Sequence, residues 1–341
     1  IVIVYARAPV GILTPILVTT EIPSPGMDIL RAAGKVDLRE VDHEQLVDAC
    51  ASGEYSVVVS QLRDRFDADL LASASIVGIS NYAVGFDNID IAAATQYGIT
   101  VANTPGVLTN STADVAMLLI LSTARRAVEA DAFVRSGSFT GWEPELLLGS
   151  DVSDRVLGLA GFGRIARATA RRALGFGMTV KFCPRPPADR DVSEDELGEF
   201  AGRVEHASWD EIVATSDFLS LHVPLSKATH HLVDATVLGA MKPSAIVINT
   251  ARGPVIDEAA LVTALREGTV AAAGLDVYER EPALEPGLAD LPNTVLLPHV
   301  GSATVSVRSE MARLCATNAA AMVGGSMPAH PVNPDAWSHA G

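Results

Sequence analysis

The chain has 341 residues, which is long for one domain and suits two. Hydrophobic residues make up 48% of it and charged residues 19%, so it can form a large core. Its net charge of −16 argues against nucleic acids and acidic membranes as partners, because phosphate binding needs clustered Lys and Arg.

The chain begins with a short apolar segment and continues as alternating strands and helices. Residues 1–14 are too few to span a bilayer and lack the features of a signal peptide, so we interpret them as an N-terminal extension. From residue 16 to residue 103, β-branched runs alternate with amphipathic helices. The runs are ILVTT, a short one at Val36–Leu38, SVVVS, IVGIS and ITVAN. This alternation is typical of parallel βα units with both sheet faces covered.

A long helix is predicted next. Asn110, Ser111 and Thr112 offer an N-cap for a helical stretch that includes the apolar segment VAMLLIL and continues to residue 137. Such a helix would be roughly 35 Å long, enough to cross from one lobe to another. Its apolar middle indicates burial between the lobes.

A glycine motif opens the second lobe. The segment RVLGLAGFGRIARATARRALGFGMTVKFC reads as strand, glycine turn, helix and strand, with Gly161, Gly163 and Ala166 at the GxGxxA positions. The glycines allow the backbone to approach a pyrophosphate, which the helix N-terminus stabilises through its N–H groups and dipole. The motif therefore predicts a dinucleotide-binding unit.

The residues after the second strand of this unit select the cofactor. An NAD-specific site carries Asp or Glu there, which binds the ribose 2′-hydroxyl. In this chain the strand is followed by Pro184-Arg185-Pro186-Pro187, without a carboxylate at the turn. Because Arg185 can pair with a 2′-phosphate, we expect NADPH to be preferred, with NADH as the alternative cofactor.

Three polar residues follow later strands of this lobe. Arg252 follows AIVINTA, Glu281 follows VAAAGLDVY and His299 follows TVLLP. Ligand chemistry in parallel sheets collects at the carboxyl ends of the strands. A cation, a carboxylate and an imidazole there would form an anion-binding group and an acid/base pair. Asp276, at the end of its strand, can bind a carboxamide or act as a structural cap, and His222 is more typical of a cofactor-lining residue than of the acid.

Several motifs resemble the D-isomer-specific 2-hydroxyacid dehydrogenases, and most closely the glyoxylate/hydroxypyruvate reductase branch. They are LSLHVPL, INTARGPVIDEAAL, AAAGLDVYEREP and LPHVGSAT, with SNYAVGFDNID, NTPGVLTNSTAD and GWEPELLLG earlier in the chain. The resemblance implies two doubly wound parallel-sheet α/β lobes. A Rossmann NAD(P)-binding domain at 113–301 would be inserted in a flavodoxin-like substrate-binding domain at 15–112 and 302–341.

The resemblance also implies roles for individual residues. The implied catalytic residues are Arg252, which holds the substrate, Glu281, and His299, the general acid. The implied substrate-binding residues are Val84, Gly85, Leu62 and Trp142, and Trp142 would reach the active site of the partner subunit in a homodimer. The implied cofactor-binding residues are Thr112, Gly161, Gly163, Arg164, Ile165, Arg185, His222, Val223, Pro224, Thr250, Ala251, Asp276 and Gly301. Ala166 and Pro184 depart from the family pattern, and Pro184 replaces the Asp of NAD-dependent members.

The expected activity is the NAD(P)H-dependent reduction of a small 2-oxo acid, glyoxylate or hydroxypyruvate, to the D-2-hydroxy acid. Two alternatives stay open. One is a dehydrogenase of the same family for a larger 2-keto acid, and the other is a non-catalytic nucleotide-sensing protein similar to corepressors of this fold. The complete Arg, Glu and His set favours an enzyme. The three dispersed cysteines indicate reduced thiols in the cytoplasm and no zinc site.

Overall fold

A computed structural model describes residues 15–338, so the expected extension at residues 1–14 lies outside the described residues. The chain forms two compact units. Among the described residues, unit 1 comprises 15–108 and 303–338, and unit 2 comprises Thr109–Ser302. Between residues 15 and 338, no helix combines the length and the apolar character needed to cross a membrane.

The strands and helices follow one another along the chain as expected for βα units. The strands are β1 (Ile16–Val18), β2 (Val36–Leu38), β3 (Val57–Ser60), β4 (Gly78–Asn81), β5 (Thr100–Ala102), β6 (Val156–Ala160), β7 (Thr179–Cys183), β8 (Glu205–His206), β9 (Phe218–Leu221), β10 (Ile246–Asn249), β11 (Ala272–Leu275) and β12 (Thr294–Leu296). The helices are α1 (Gly26–Ala33), α2 (His43–Ala51), α3 (Ala68–Ser73), α4 (Ile91–Gln96), α5 (Thr109–Ala124), α6 (Ala127–Arg135), α7 (Arg164–Gly175), α8 (Glu194–Leu197), α9 (Trp209–Thr215), α10 (Ala235–Ala240), α11 (Glu258–Glu267), α12 (Val305–Val323) and α13 (Asp335–Ser338). Short 3₁₀ turns lie at Gly198–Phe200 and Gly253–Val255.

Unit 1 contains a five-stranded parallel sheet in the order β2-β1-β3-β4-β5, the order of flavodoxin-like folds. Both faces are covered, which explains why Val57, Val58 and Val59 are all buried. Side chains of α2, α3 and α4 belong to the core on one face. Side chains of α1 and α12 belong to the core on the other. The predicted strands of this lobe are confirmed.

The segment after α12 is bound to the sheet of unit 1. The N–H of Val332 donates to the carbonyl of Val101 on β5, at 2.7 Å. The side chain of Asn333 accepts from the N–H of Val101 at 2.7 Å and donates to the carbonyl of Ile99 at 3.0 Å. Residues near the C-terminus therefore occupy the edge of β5.

Unit 2 contains seven parallel strands in the order β12-β11-β10-β9-β6-β7-β8. The first strand of the unit, β6, pairs with β7 on one side and with β9 on the other. This reversal of strand order next to β6 defines a Rossmann fold, in which ligands bind at the carboxyl ends of the strands around the reversal. The fold class predicted from the sequence, a Rossmann unit inserted in a flavodoxin-like unit, is confirmed.

The single long helix predicted after residue 110 is wrong. Helix α5 ends at Ala124, Arg126 has the left-handed φ of 51°, and α6 follows. The carbonyl of Ala124 accepts from the N–H of Ser150 at 2.8 Å, so the returning loop takes part in ending the helix. The predicted N-cap is also wrong, because α5 already begins at Thr109 and includes Ser111 and Thr112.

Candidate active site

His299 and Glu281 form a hydrogen-bonded pair in unit 2, as their positions after neighbouring strands predicted. His299 Nδ1 lies 2.9 Å from Glu281 Oε2. Burial raises the pKa of Glu281, but the bonds from His299 and from the N–H of Tyr278, together with the positive charge of Arg252, outweigh it and leave this pKa below its usual value. An ionised Glu281 only accepts, so Nδ1 of His299 carries a hydrogen and Nε2 is the nitrogen left to exchange a proton.

Asp276 holds the loop that carries His299. Its two carboxylate oxygens accept from the N–H groups of Val300, at 2.7 Å, and Gly301, at 2.8 Å. His299 itself has a left-handed φ of 55°, a conformation that costs a non-glycine residue energy. The two bonds to Asp276 offset part of this cost. These contacts are those of a structural cap, one of the two roles that the sequence left open for Asp276.

Arg252 lies just after β10, where Asn249 holds its backbone. Asn249 Nδ2 donates to the carbonyl of Arg252 at 2.9 Å, and Asn249 Oδ1 accepts from the N–H of Ala251 at 3.0 Å. The guanidinium donates to the carbonyl of Ala251 at 2.8 Å. Sequence reasoning missed Asn249, although a polar residue that closes an apolar strand is a signal for such a role.

The glycine motif forms a cradle that fits a dinucleotide. Gly161 has a φ of +96°, and a side chain there would meet the carbonyl of His222 at 2.8 Å. Gly163 is the N-cap of α7 and leaves the first-turn N–H groups, including those of Arg164 and Ile165, without a side-chain cap. A Cβ at Gly163 would face open space. The free helix terminus beside this space has the chemistry that binds a pyrophosphate.

Other residues implied as cofactor contacts lie around the same end of the sheet. Thr250 is buried, and its hydroxyl has no hydrogen-bond partner within residues 15–338, as expected where a cofactor group would supply one. Thr112 Oγ1 donates to the carbonyl of Gly301 at 3.3 Å. Val223 is buried next to Gly161, and Pro224 follows it exposed. Together these observations fit a nicotinamide dinucleotide.

His222 does not resemble an acid. Its ring is partly buried, and Nε2 lies 2.9 Å from Ser220 Oγ. Burial lowers its pKa to about 4, so the ring is neutral near pH 7. A neutral imidazole at the end of β9 could contact a cofactor, which is the role expected of His222 from the sequence.

Arg185 is exposed directly after β7 and Pro184. Asp189, the next carboxylate along the chain, lies 2.8 Å from His206 Nε2 and also accepts from the N–H of Arg190 at 2.8 Å. Its hydrogen bonds are therefore made with residues other than Arg185.

In unit 1, hydrogen bonds orient the backbone at Val84 and Gly85. The carbonyl of Ala83 accepts from the N–H of Thr104 at 2.9 Å, and the carbonyl of Val84 accepts from Asn103 Nδ2 at 2.7 Å. Because a peptide N–H points opposite to its carbonyl, these bonds fix the N–H groups of Val84 and Gly85. Neither N–H has a partner among the described residues. Two such neighbouring donors suit an anion.

Asn81 completes this support, since its Nδ2 donates to the carbonyl of Gly85 at 2.9 Å. Sequence reasoning missed Asn81 and Asn103, which lie at the ends of β4 and β5. The other implied substrate residues differ in surroundings. Leu62 is half-buried in unit 1, whereas Trp142 lies in the loop after α6 of unit 2 with 81% of its surface exposed.

A cavity of about 330 Å³ in unit 2 lies away from Arg252, Glu281 and His299, which we call the trio. It is lined by Ile246, Ala272 and Thr294, the first residues of β10, β11 and β12, together with Arg126 and Leu148. Arg252, Glu281 and His299 follow the opposite ends of the same strands. The cavity therefore does not belong to the candidate active site.

Comparison with known proteins identifies the family. The sequence pattern of the D-isomer specific 2-hydroxyacid dehydrogenase NAD binding domain matches residues 117–301, more than half of the chain. The chain belongs to the D-isomer-specific 2-hydroxyacid dehydrogenases. As the resemblance implied, this dehydrogenase is an NAD(P)-dependent oxidoreductase.

Similar proteins cover nearly the whole dehydrogenase. A glyoxylate reductase from Thermococcus onnurineus is 45% identical over 325 residues, 93% of this chain and 95% of the relative. The structure of an NADPH-dependent glyoxylate/hydroxypyruvate reductase from Sinorhizobium meliloti, in complex with NADP and malonate, has a TM-score of 0.82. It is 33% identical and covers 95% of this chain and 98% of its own. A glyoxylate reductase structure from Paecilomyes thermophila has a TM-score of 0.83 at 32% identity, covering 94% and 98%.

Proposed function

We propose that this dehydrogenase reduces glyoxylate or hydroxypyruvate to the D-2-hydroxy acid with NADPH. The observation that carries the proposal is the His299–Glu281 pair, with Arg252 close enough to lower the pKa of Glu281, at the cofactor end of a Rossmann sheet. The names of the similar proteins support a small 2-oxo acid as the substrate.

Each residue of the trio has a distinct task in the proposed reaction. Arg252 binds the substrate carboxylate and stabilises the negative charge that develops on the carbonyl oxygen. Nε2 of His299 donates a proton to that oxygen, and Glu281 keeps the ring oriented through Nδ1. The reduced nicotinamide, when bound, supplies the hydride. General acid catalysis by a positioned side chain contributes about 10²–10⁴-fold in rate.

The two domains expected from the sequence have separate tasks in the proposal. The substrate-binding domain, residues 15–112 and 302–341, binds the carboxylate through the N–H groups of Val84 and Gly85 and contacts the substrate through Leu62. The NAD(P)-binding domain, residues 113–301, binds the pyrophosphate at the start of α7. The further proposed cofactor contacts are Thr112, Gly161, Gly163, Arg164, Ile165, Arg185, His222, Val223, Pro224, Thr250, Ala251, Asp276 and Gly301.

The preference for NADPH rests on the turn after β7. Pro184 stands where a carboxylate would repel a 2′-phosphate, and exposed Arg185 provides a cation. The nearest following carboxylate, Asp189, is bonded to His206. NADH remains the alternative cofactor, since the cradle around Gly161 does not depend on the 2′ position.

We also propose a cytoplasmic homodimer in which Trp142 reaches the active site of the partner subunit. The indole is exposed, and contact with a partner subunit would remove its apolar surface from water. The three cysteines are free and buried, which suits a reducing compartment.

Initial rates test the function directly. NADPH or NADH oxidation is followed at 340 nm with glyoxylate, hydroxypyruvate and a larger 2-keto acid in parallel. Fast turnover of the two small acids with NADPH, and slow turnover with NADH, is the expected result. A higher kcat/KM for the larger acid would replace the proposed substrate. Absence of turnover with every acid would favour a nucleotide-sensing protein.

A further inference from the structure

A second group of titratable side chains lies at the segment Tyr278–Glu281. It consists of Glu279, within the segment, and of His231 and Glu258, which contact Glu279, and we call it the support cluster. His231 Nε2 lies 2.9 Å from Glu279 Oε1. Glu279 and Glu258 are bonded reciprocally, since Glu258 Oε1 accepts from the N–H of Glu279 at 2.8 Å and Glu279 Oε2 accepts from the N–H of Glu258 at 3.4 Å.

Burial of the Glu258 side chain is energetically unfavourable. Only 2% of its surface is exposed, and Oε2 has no hydrogen-bond partner within residues 15–338. Burial raises the pKa of Glu258, and the negative charge of Glu279 raises it further. An apolar residue at this place on α11 would avoid these costs. The gain that offsets them is the short bond to the N–H of Glu279.

The support cluster is built for hydrogen bonds rather than for a metal ion. His230, His231 and Glu279 each have a ligand atom within 4.8 Å of the others. However, the 2.9 Å between His231 Nε2 and Glu279 Oε1 is a hydrogen-bond distance. The rings of His230 and His231 lie 4.1 Å apart at an angle of 31°.

The support cluster acts on a segment whose other contacts lead to His299. The N–H of Tyr278 donates to Glu281 Oε1 at 2.9 Å, and the hydroxyl of Tyr278 donates to the carbonyl of Leu297 at 2.9 Å. Glu281 Oε2 then accepts from His299. Since Glu279 is two residues from Glu281, a shift of its backbone changes the position of the Glu281 carboxylate. Such shifts are costly in catalysis, where small misplacements reduce the rate strongly.

We propose that His231, Glu258 and Glu279 are positioning residues that keep Glu281 within hydrogen-bond distance of His299 during the reduction. The inference rests on the proposed function of this site. It adds to that function because none of the three residues belongs to the proposed catalytic or binding set. Loss of the support cluster loosens the Glu281 carboxylate, so His299 is less well oriented toward the substrate.

Steady-state kinetics of the full-length protein with hydroxypyruvate and NADPH test this inference. Glu258→Ala removes the acceptor, whereas Glu258→Gln keeps an oxygen that can accept from the N–H of Glu279. Glu258→Ala is expected to lower kcat about tenfold with a change in KM of no more than about twofold. Glu258→Gln should restore most of kcat, because its side-chain oxygen can replace the acceptor.

Two further variants keep the test decisive. His231→Asn removes the bond to the Glu279 side chain, and Asn tolerates the left-handed φ of 51° at this position. It should lower kcat about threefold with KM changed by no more than about twofold, and this result can be measured even if Glu258→Ala does not fold by circular dichroism. Glu267→Ala, at the exposed end of the same helix, is the matched control and should behave as wild type.

The outcomes separate this inference from the proposed function. If the wild type reduces hydroxypyruvate while the His231 variant, and Glu258→Ala where it folds, keep the wild-type kcat, the support cluster has no positioning role. A fall in kcat that Glu258→Gln does not restore, or one accompanied by an equally large rise in KM, would also overturn the positioning role. If the wild type reduces no 2-oxo acid at all, the proposed function and this inference are both overturned.

Discussion

At the residue scale, the bond between His299 Nδ1 and Glu281 Oε2 leaves Nε2 as the proton donor of the proposed reaction. His299→Ala should therefore lower kcat by about 10²–10⁴-fold, with a modest change in KM because the proposed contact of Arg252 with the substrate carboxylate is kept. The measurement is steady-state kinetics with hydroxypyruvate and NADPH. His43→Ala, an exposed histidine on α2, serves as the control. A kcat near that of wild type in His299→Ala would remove His299 from the role of acid.

The pKa of Glu281 links this pair to stability. Because its pKa is lower in the folded state, Glu281 stabilises the fold above the ordinary Glu pKa of about 4.3, and this contribution is lost as the pH falls through the lowered value. Glu281→Gln cannot ionise and lacks this dependence. The free energies of unfolding of wild type and variant, measured with urea, should differ at pH 7. This difference should be smaller at about pH 3. An unchanged difference would contradict the lowered pKa.

Arg185 allows a separate test of cofactor choice. The guanidinium follows Pro184 and is exposed, and it is proposed to pair with the 2′-phosphate. Arg185→Ala should raise the KM for NADPH about tenfold and leave the KM for NADH within about twofold, since only NADPH carries that phosphate. Arg190→Ala, in the same exposed loop, is the matched control. Equal changes in the KM values for both cofactors would mean that Arg185 does not bind the 2′-phosphate.

At the scale of elements, Gly253 shows how closely the segments of the site pack. A Cβ at this position would overlap the carbonyl group of Tyr278 and approach the N–H of Glu279. Gly253→Ala should thus push apart the segments that carry Arg252 and Glu281. We expect a loss of about 3 kcal/mol or more in the free energy of unfolding, measured with urea, and loss of most turnover.

Gly239→Ala is the matched control for this prediction. Gly239 lies within α10, and a Cβ there would meet nothing within 4 Å. The substitution should stabilise the protein by about 0.5–1 kcal/mol because Ala is the better helix former. If Gly253→Ala were tolerated equally well, the two segments would not be in the close contact described.

The elements also show which features can be read from a sequence. Buried parallel strands need β-branched residues on both faces, so runs such as Val57–Ser60 and Ile246–Asn249 predicted the two sheets. The trio was predictable because strand ends of a parallel sheet converge. The break between α5 and α6 at Arg126 was not predictable, because it depends on a loop that returns to the carbonyl of Ala124. The two-residue strand β8 was missed because it is too short to give a periodic pattern.

The supports of the site were less visible in the sequence. Asn81, Asn103 and Asn249 act through side-chain bonds to backbone groups a few residues or a strand away. Such bonds require the fold to be known, because the same residues also occur as solvated caps. The role of Glu258 was hidden for the same reason, since its partner is the backbone of Glu279, 21 residues away.

At the scale of the whole molecule, the exposed apolar surface is unevenly distributed. Twelve large apolar side chains are exposed among the described residues, and six of them lie between residues 118 and 148 of unit 2. They are Leu118, Val128, Val134, Phe139, Trp142 and Leu148. Isolated apolar residues are common on protein surfaces, but a concentration along two helices and one loop is the kind of surface that the proposed homodimer would cover.

Light scattering coupled to size-exclusion chromatography tests the dimer, whose mass should be twice 35.7 kDa. Val134, on α6, is 59% exposed, and Val134→Glu would bury an unpaired charge if α6 lies in the interface. The variant should shift toward the monomer, with its dissociation constant raised about 10²-fold or more.

Val305→Glu, at an 89% exposed site on α12, is the control and should leave the mass unchanged. Because the chain carries a charge of −16, a general effect of added negative charge would weaken dimerisation of both variants equally. A loss confined to Val134→Glu would instead locate the interface on α6, whereas a wild type that elutes as a monomer would overturn the dimer.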